Sequence, residues 1–287
     1  MNTPKSLRDI VAPVIAMVPH ANLRGTLERA FAEEQDAVRD IEAFFEMLPA
    51  AEWPRELLRT FAGSWKATHL KMLAIYGLSC RLQRTAGRSA DPDRSNLYLA
   101  AARNAETSYE DLGLDFDGQT HADLYDAFAE ALTGDDSWQL RKYRLPEAQR
   151  FSRWVYRNMV VEAIPDGLFT NMFSEIYNHG EYSIALPAAQ AYFRQRTGLS
   201  ERERTSAITY VAAHVEDDTE ADHFLVVVDA LDRYLAASGT QLDTTRARYV
   251  FGAYLRNLAP VMQQLTERMR AELAGQPAAP SASRVHA

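Results

Sequence analysis

Apolar side chains recur along most of this chain at spacings of three, four and seven residues, the period of a helix with one buried face. The pattern is clear between Leu23 and Leu48, where it includes Leu27, Phe31 and Val38. Strands would need short alternating runs rich in Val, Ile and Thr between turn dipeptides, and such runs are nearly absent. The chain is therefore predicted to be all-α, a bundle of seven to nine helices.

Capping residues and helix breakers divide the periodic pattern into segments. The sequence predicts capping pairs at Thr120 with Asp123 and at Ser200 with Glu203, a glycine after the helix at Gly134, and a perturbed helix near Pro165. Helices are expected at about 23–48, 55–82, 96–112, 120–132, 146–177, 187–196, 201–237 and 244–273. Residues 1–274 are predicted to form a single helical-bundle domain, with the helices of residues 1–50 packed on its core. Residues 275–287 contain few apolar side chains, so a disordered tail is expected there.

Charge and cysteine usage limit the partners of the chain. Its formal net charge of -8 would repel phosphate backbones, which argues against nucleic acid. No apolar run approaches the roughly 18 residues of a spanning helix, which argues against a membrane. The single cysteine, Cys80, follows the apolar run LAIYGLS, which predicts a buried thiol in a reducing, cytoplasmic compartment. A homodimer is compatible with the sequence, which does not specify one.

A histidine and an aspartate in the segment YVAAHVEDD are spaced to share one helical face. His214 and Asp218 are four residues apart, and Tyr210 continues the same face one turn earlier. Such a pair can bind one Fe(II) ion, and another imidazole and carboxylate would complete a site with positions left for oxygen and substrate. The alternative interpretation is an exposed, charged helix face, which is the commoner origin of such a pair.

Glu162 lies in an apolar stretch, NMVVEAIPDGLF, where a carboxylate is costly unless it meets a cation or a metal. The alternative is an ion pair with Arg153 or Arg157. His121, at the start of a predicted helix, is a further candidate metal ligand, with a capping or surface role as its alternative. Four side chains are candidate substrate contacts, each with a surface or supporting role as the alternative: Arg153, Tyr156, Arg157 and Tyr210.

Three segments, in this order along the chain, resemble those of haem-oxygenase-like non-haem diiron oxidases and oxygenases, which share their bundle with thiaminase and the pyrroloquinoline-quinone synthase. EDLG ends at Gly113 and is followed by His121, VVEAIPDGLF is similar to the glutamate segment of that family, and TGLSERERTSAITYVAAHVEDDTEADH is similar to its last metal-binding helix. The resemblance spans about Arg59 to Leu235. It implies an oxygen-dependent enzyme of specialised metabolism with two Fe(II) ions per chain and O2 as co-substrate.

The same resemblance implies a small-molecule substrate, such as an amino acid or a fatty acid. N-oxygenation, desaturation, oxidative decarboxylation and oxidative C–C cleavage all occur in the family, and the sequence does not choose among them. The implied metal ligands are Glu110 or Asp111, His121, Glu162, His214, Asp218, and His223 or Asp222. Of the first pair, Glu110 is preferred for its longer reach, although the family usually has glutamate at the position of Asp111.

The end of the last metal segment departs from the family pattern. The family has a closing histidine seven residues after the first, where this chain has Ala221. His223 is nine residues from His214, and at about 100° per residue it would face the opposite side of one continuous helix. It reaches the site only if the helix changes register, as π-bulges at functional sites allow. Asp222 lies closer to the required face and remains the alternative.

Two other functions compete with the oxygenase interpretation. The acidic run DDTEAD at residues 217–222 resembles a magnesium site for a diphosphate substrate, as in class I terpene synthases, although its position late in the chain inverts the order of motifs in that family. The second alternative is a non-catalytic or cofactor-free helical binding module. Metal analysis distinguishes the three, because they predict iron, magnesium and no metal dependence.

Overall fold

The computed structural model describes residues 5–108, 112, 119–215 and 219–275. Within these ranges the chain forms twelve α-helices joined by short connections and 3₁₀ turns, with no strand, so the predicted all-α class is confirmed. The helices are α1 (Leu7–Ala16), α2 (Ala21–Glu33), α3 (Gln35–Met47), α4 (Arg55–His69), α5 (Met72–Ala86), α6 (Asp93–Glu106), α7 (His121–Thr133), α8 (Pro146–Val160), α9 (Ile164–Arg196), α10 (Glu201–Ala213), α11 (Thr219–Ser238) and α12 (Thr244–Gly275).

The 33-residue helix α9 is the centre of the bundle. It packs against α1, α8, α10, α11 and α12, so that side chains on every side of it are buried. Phe169, Phe173, Tyr177 and Phe193 are among its fully buried rings. A helix that is enclosed all round needs no polar face, which explains why no single apolar stripe marks it in the sequence.

The N-terminal helix α1 lies directly on α9. Leu7 and Val11 of α1 are fully buried and approach α9 at Gly180. A Cβ atom added at Gly180 would lie 2.8 Å from Leu7 Cγ and 2.9 Å from Val11 Cγ1, closer than real contacts allow. Only glycine therefore permits this approach of the two helices.

Local capping signals are reproduced by the structure. Thr120 and Asp123 form a capping box at the start of α7, and Ser200 and Glu203 form another at the start of α10. Gly134 ends α7 with a left-handed backbone (φ 85°), the conformation that glycine adopts most easily. Each cap is where the sequence predicts it.

The described helices are more numerous than predicted because three predicted segments are broken. The segment 23–48 is interrupted at Glu34, the segment 55–82 at Leu70 and Lys71, and the segment 201–237 after Ala213. A fourth break lies between α8 and α9, just before Pro165 in the first turn of α9. The sequence predicts a perturbed helix at this position.

Three other expectations are corrected or lie outside the described residues. The predicted loop before Pro187 is helical, because tertiary packing of Tyr182, Ala185 and Ala188 outweighs the proline. Cys80 is exposed, because it lies on the outer side of α5. The tail expected at residues 275–287 lies outside the described residues, apart from Gly275 at the end of α12. None of the described helices combines the length and apolar character needed to cross a membrane.

Candidate metal centre and cavity

A cavity of about 300 Å³ lies where six helices meet around the middle of α9. Its wall is formed by the corner between α4 and α5, by the start of α7, and by α9, α10 and α11. The polar and aromatic side chains that line it are Lys66, His69, Lys71, His121, Tyr125, Glu175, Asn178, Tyr182, Tyr210, His214, Glu220 and His223. Leu70, Met72 and Leu73 add an apolar edge.

Two glutamates and one histidine form a buried cluster at the cavity wall. Glu175 comes from α9, whereas Glu220 and His223 come from the first turns of α11. One potential ligand atom from each of the three lies within 4.8 Å of the other two, and both carboxyl groups are almost completely buried. His223 Nδ1 is 4.0 Å from Glu175 Oε2. We call these residues the Glu175–Glu220–His223 cluster.

His214 extends the cluster from the end of α10. Its Nδ1 is 2.7 Å from the main-chain oxygen of Tyr210, which can only accept, so Nδ1 carries the proton. Nε2 then presents its lone pair, 3.7 Å from Glu220 Oε1. Burial, with a smaller contribution from His121, holds the pKa of His214 well below its usual 6.5. The imidazole is therefore neutral and oriented as a metal ligand would be.

Burial also controls the protonation of Glu220. Its pKa is raised well above its usual value, first because the carboxyl group is enclosed and then because Glu175 lies beside it. Lys71 and His223 oppose this shift. Without a bound cation this burial favours the protonated form of Glu220, and Oε2 has no hydrogen-bond partner among the described residues. A metal ion would take the place of that proton.

Lys71 adds a fixed positive charge to the cluster. Its Nζ donates to Ser174 Oγ at 2.6 Å and to Glu175 Oε1 at 3.0 Å. The side chain of Lys71 is only 12% exposed, which makes this a largely enclosed ion pair. Buried pairs of this kind persist only when their hydrogen bonds are well satisfied.

A second buried pair lies behind the cavity, between His69 and Glu181. His69 Nε2 is 2.9 Å from Glu181 Oε2, and Trp65 Nε1 donates to Glu181 Oε1 at 3.2 Å. His69 Nδ1 is 2.8 Å from the Trp65 carbonyl oxygen, so Nδ1 must be a donor. One proton is therefore shared between Nε2 and Oε2, whichever atom carries it.

Aromatic rings fix the imidazoles in place. Tyr182 stacks on His214 with ring centroids 3.9 Å apart, and its hydroxyl is 2.7 Å from that of Tyr210. His121, the first residue of α7, has its ring 4.6 Å from the ring of His214. Burial raises the pKa of Tyr182 well above its usual value, so its phenol stays neutral.

The structure brings some of the predicted site residues together. His121, Tyr210, His214 and His223 all line the cavity. Asp222 is exposed, so His223 rather than Asp222 faces the cluster. The ligand roles of these side chains stay predictions. Three further predicted ligands lie outside the described residues: Glu110, Asp111 and Asp218.

Glu162 and three predicted substrate contacts lie elsewhere and are corrections to the sequence-based prediction. Glu162 belongs to the connection between α8 and α9, where its Oε1 accepts from Arg157 Nε at 2.6 Å. This is the ion pair that the sequence offers as the alternative. Arg153, Tyr156 and Arg157 are exposed on α8 and do not line the cavity, because the buried face of that helix is formed by other residues.

Several site residues are not among those predicted from the sequence: His69, Lys71, Glu175, Glu181 and Glu220. Glu175 and Glu181 are indicated only weakly by the sequence, because the stretch FTNMFSEIYNHGEYSIA alternates apolar and polar residues, and an unpaired carboxylate is costly only where the stretch is buried. His69 and Lys71 are not indicated at all, since their position depends on the break between α4 and α5.

Comparison with known proteins places this architecture in a fold class. No protein-family profile and no curated protein sequence matches the chain. Among solved structures, a TenA homolog from Pseudomonas syringae pv. tomato str. DC3000 is similar, with a TM-score of 0.59 and 13% identity, over 94% of this chain and 99% of the other. A cadd-like protein of unknown function from Nostoc punctiforme PCC 73102 has a TM-score of 0.57 and 10% identity, over 92% and 96% of the two chains.

Both structures are haem-oxygenase-like helical bundles, and this chain has the same fold. The predicted fold class is confirmed. At these identities the similarity establishes the fold alone, and the chemistry has to be argued from the cavity.

Proposed function

We propose that this protein is an iron-dependent oxidoreductase that uses dioxygen to oxidise a small molecule. The observation that supports the proposal best is the Glu175–Glu220–His223 cluster, with ligand atoms within 4.8 Å of one another inside a cavity of about 300 Å³. Two carboxylates and one imidazole, with His214 beside them, form the mixed oxygen and nitrogen donor set that Fe(II) favours in oxygen-using enzymes.

The residues fit a metal ion without rearrangement of the helices. Two ligands of one ion would lie at most about 4 Å apart, because each ligand bond is about 2.1 Å long. The distances of 4.0 Å between His223 Nδ1 and Glu175 Oε2, and of 3.7 Å between His214 Nε2 and Glu220 Oε1, are therefore close to those of a bound site. Small rotations of side chains are enough to complete it.

Iron held there would supply the redox chemistry of dioxygen, which amino-acid side chains do not supply alone. The protein's own groups would bind the substrate and manage protons. Tyr125, Tyr182 and Tyr210 give the cavity aromatic walls that favour a largely apolar ligand. The buried pair of His69 and Glu181 holds one proton at the cavity wall, between Nε2 and Oε2.

The magnesium alternative has less support in this site. Magnesium prefers an octahedron of oxygen ligands and keeps several waters, whereas His121, His214 and His223 line the cavity. Within the acidic run of residues 217–222, Asp222 is exposed, Glu220 is buried, and residues 217 and 218 lie outside the described ranges.

The first test is metal binding by the full-length chain. We expect anaerobic loading with Fe(II), followed by desalting and elemental analysis, to leave iron on the protein. Glu175→Gln and His223→Gln should each weaken binding by more than about tenfold, because each removes a ligand. Glu162→Gln is the matched control and should bind as wild type, since Glu162 pairs with Arg157 away from the cavity. Equal iron retention in the two ligand variants and the wild type would refute the assignment.

The second test is oxygen uptake by the iron-loaded protein with a panel of amino acids and fatty acids. His214→Ala should abolish iron-dependent uptake while leaving the far-ultraviolet helical signal nearly intact, because His214 lies at the C-cap of α10 and its backbone N–H can still donate to the Ala212 carbonyl oxygen. Full uptake by that variant, or magnesium-dependent turnover by the wild type, would contradict an iron oxidase.

A further inference from the structure

Lys71 lies at the corner between α4 and α5, and the corner directs its ammonium group into the bundle. Leu70 leaves the helical conformation (ψ 69°), and α5 begins again after Lys71. The main-chain oxygen of Lys71 accepts from Ala74 and Ile75, which fixes the start of α5. The lysine is thus anchored at its backbone while its side chain reaches α9.

The ammonium group lies in a nest of oxygen atoms from one turn and a half of α9. Ser174 Oγ is 2.6 Å from Lys71 Nζ and Glu175 Oε1 is 3.0 Å from it. With the Asn178 amide oriented to satisfy both of its polar atoms, its oxygen accepts from Nζ at 2.8 Å and its nitrogen donates to the Ser174 carbonyl at 3.2 Å. Three oxygen acceptors match the three hydrogens of an ammonium group. The same oxygens would also suit a metal cation.

The two oxygens of Glu175 therefore have different partners. Oε1 accepts from Lys71, whereas Oε2 faces His223 Nδ1 at 4.0 Å. A carboxylate that bridges two metal ions needs both oxygens for the ions. Here one of them is already bound to a cation that belongs to the chain.

We infer that the ammonium group of Lys71 takes the place of one metal ion on Glu175, so that the Glu175–Glu220–His223 cluster binds a single ion rather than a pair bridged by Glu175. This inference rests on the proposed metal-binding function and narrows it. It departs from the two Fe(II) ions per chain that the sequence resemblance implies. Lys71 is a positioning residue, because it acts on the metal through the carboxylate of Glu175.

Charge balance favours the same arrangement. Among the described residues, a divalent ion together with the Lys71 ammonium already outweighs the two buried carboxylates of Glu175 and Glu220. A second divalent ion on Glu175 would add like charge to an enclosed site, where such charges repel strongly. Without Lys71 one divalent ion would just neutralise the two carboxylates, so a second ion would meet one positive charge fewer and would be less costly.

The test uses Mn(II) as the probe on the full-length chain, with electron paramagnetic resonance and elemental analysis as readouts. Wild type is expected to bind one equivalent tightly and to give the spectrum of an isolated ion. Lys71→Ala opens the oxygen nest and should take up a second equivalent, with the altered spectrum of two magnetically coupled ions. Lys71→Met removes the charge but fills the space, so it should keep one ion and bind it about tenfold more tightly or better.

Lys66→Met is the matched control. Lys66 also lines the cavity, but its ammonium group pairs with Asp126 at 2.5 Å, so its loss should leave Mn(II) stoichiometry and spectrum unchanged. Circular dichroism establishes that each variant is folded, and Lys71→Met carries the test should the alanine variant fail to fold.

The outcomes separate the two proposals. A coupled pair of ions in the wild type, or an unchanged affinity in Lys71→Met, would overturn the role of Lys71 while leaving metal binding intact. Absence of both Mn(II) and Fe(II) binding in wild type and all variants would overturn the metal centre itself.

Discussion

Replacing Glu181 distinguishes a proton-sharing pair from an ordinary buried carboxylate. Glu181 is fully buried, accepts from the Trp65 indole, and shares a proton with His69. In Glu181→Gln the amide oxygen can still accept from Trp65, and the amide nitrogen can donate to Nε2 of a neutral His69, because Nδ1 is the donor to the Trp65 carbonyl. In Glu181→Leu neither bond can form.

The two substitutions should therefore differ in their cost. Glu181→Gln keeps both hydrogen bonds and loses only their ionic component, which is about 1 to 2 kcal/mol. Glu181→Leu leaves the Trp65 N–H and His69 Nε2 unpaired in an enclosed site, and removal of one partner of a buried pair costs about 3 to 5 kcal/mol. Glu162→Gln, at a partly exposed pair, should change stability by less than about 1 kcal/mol.

Urea unfolding followed by circular dichroism measures these differences as shifts of the transition midpoint. We expect the order wild type, Glu162→Gln, Glu181→Gln and Glu181→Leu, from most to least stable. If Glu181→Gln lowered the free energy of unfolding as much as Glu181→Leu does, the amide would not be replacing the carboxylate. The assignment of a proton to His69 Nδ1, with Nε2 free to accept, would then be refuted.

Three further predictions test the packing and electrostatics of the bundle. Gly63→Ala should destabilise the fold by about 2 kcal/mol or more, because the added Cβ would lie 2.7 and 2.9 Å from two main-chain oxygens. Gly25→Ala is the control and should be neutral or slightly stabilising, because a Cβ there has nothing within 4 Å. Thermal unfolding of the two variants and the wild type measures the difference. In metal-free protein the folded state keeps His214 neutral, because burial lowers its pKa, so the free energy of unfolding is highest above about pH 6.5 and falls as the pH is lowered. His214→Gln should flatten the acid side of the profile of stability against pH, and an unchanged profile would contradict this. Arg246→Met should cost about 1 to 3 kcal/mol in urea unfolding by leaving Asp166 buried without its bidentate partner, and no loss would show that the pair contributes nothing.

Features encoded within one turn of helix could be predicted from the sequence. The capping boxes at Thr120 and Ser200, the left-handed cap at Gly134 and the break before Pro165 all depend on residues within four positions of each other. The all-α class follows from the same periodicity. These are the elements in which local chemistry and the final fold agree.

The breaks at Lys71 and after Ala213 could not be predicted, because no glycine or proline lies there. They nonetheless build the site. The interruption between α10 and α11 changes the helical register, so that His223 faces Glu175 even though one continuous helix would turn it away from His214. In the described residues α10 ends at Ala213 and α11 begins at Thr219, so His223 belongs to a different helix from Tyr210.

Glu162 and Glu175 show why the sequence pointed to Glu162, and not Glu175, as the carboxylate in the cavity. Both have apolar neighbours in the sequence, Val161 beside Glu162 and Ile176 beside Glu175, so a local argument about burial applies to either. Glu162 escapes the cost because it lies in a connection where Arg157 and solvent are available, whereas Glu175 is in the middle of α9 and depends on Lys71 from another helix. Partners that are distant in sequence decide the outcome, and one sequence does not reveal them.

The close approach of α1 to α9 links the beginning of the chain to its chemistry. Gly180, on which Leu7 and Val11 rest, immediately precedes Glu181, the carboxylate that holds the shared proton behind the cavity. Bulk added at Leu7 would push on the α9 backbone at that point, although no residue of α1 lines the cavity. Under the proposed function, rates of substrate oxidation would then respond to substitutions at the N-terminal helix, a region that a search confined to cavity-lining residues would overlook.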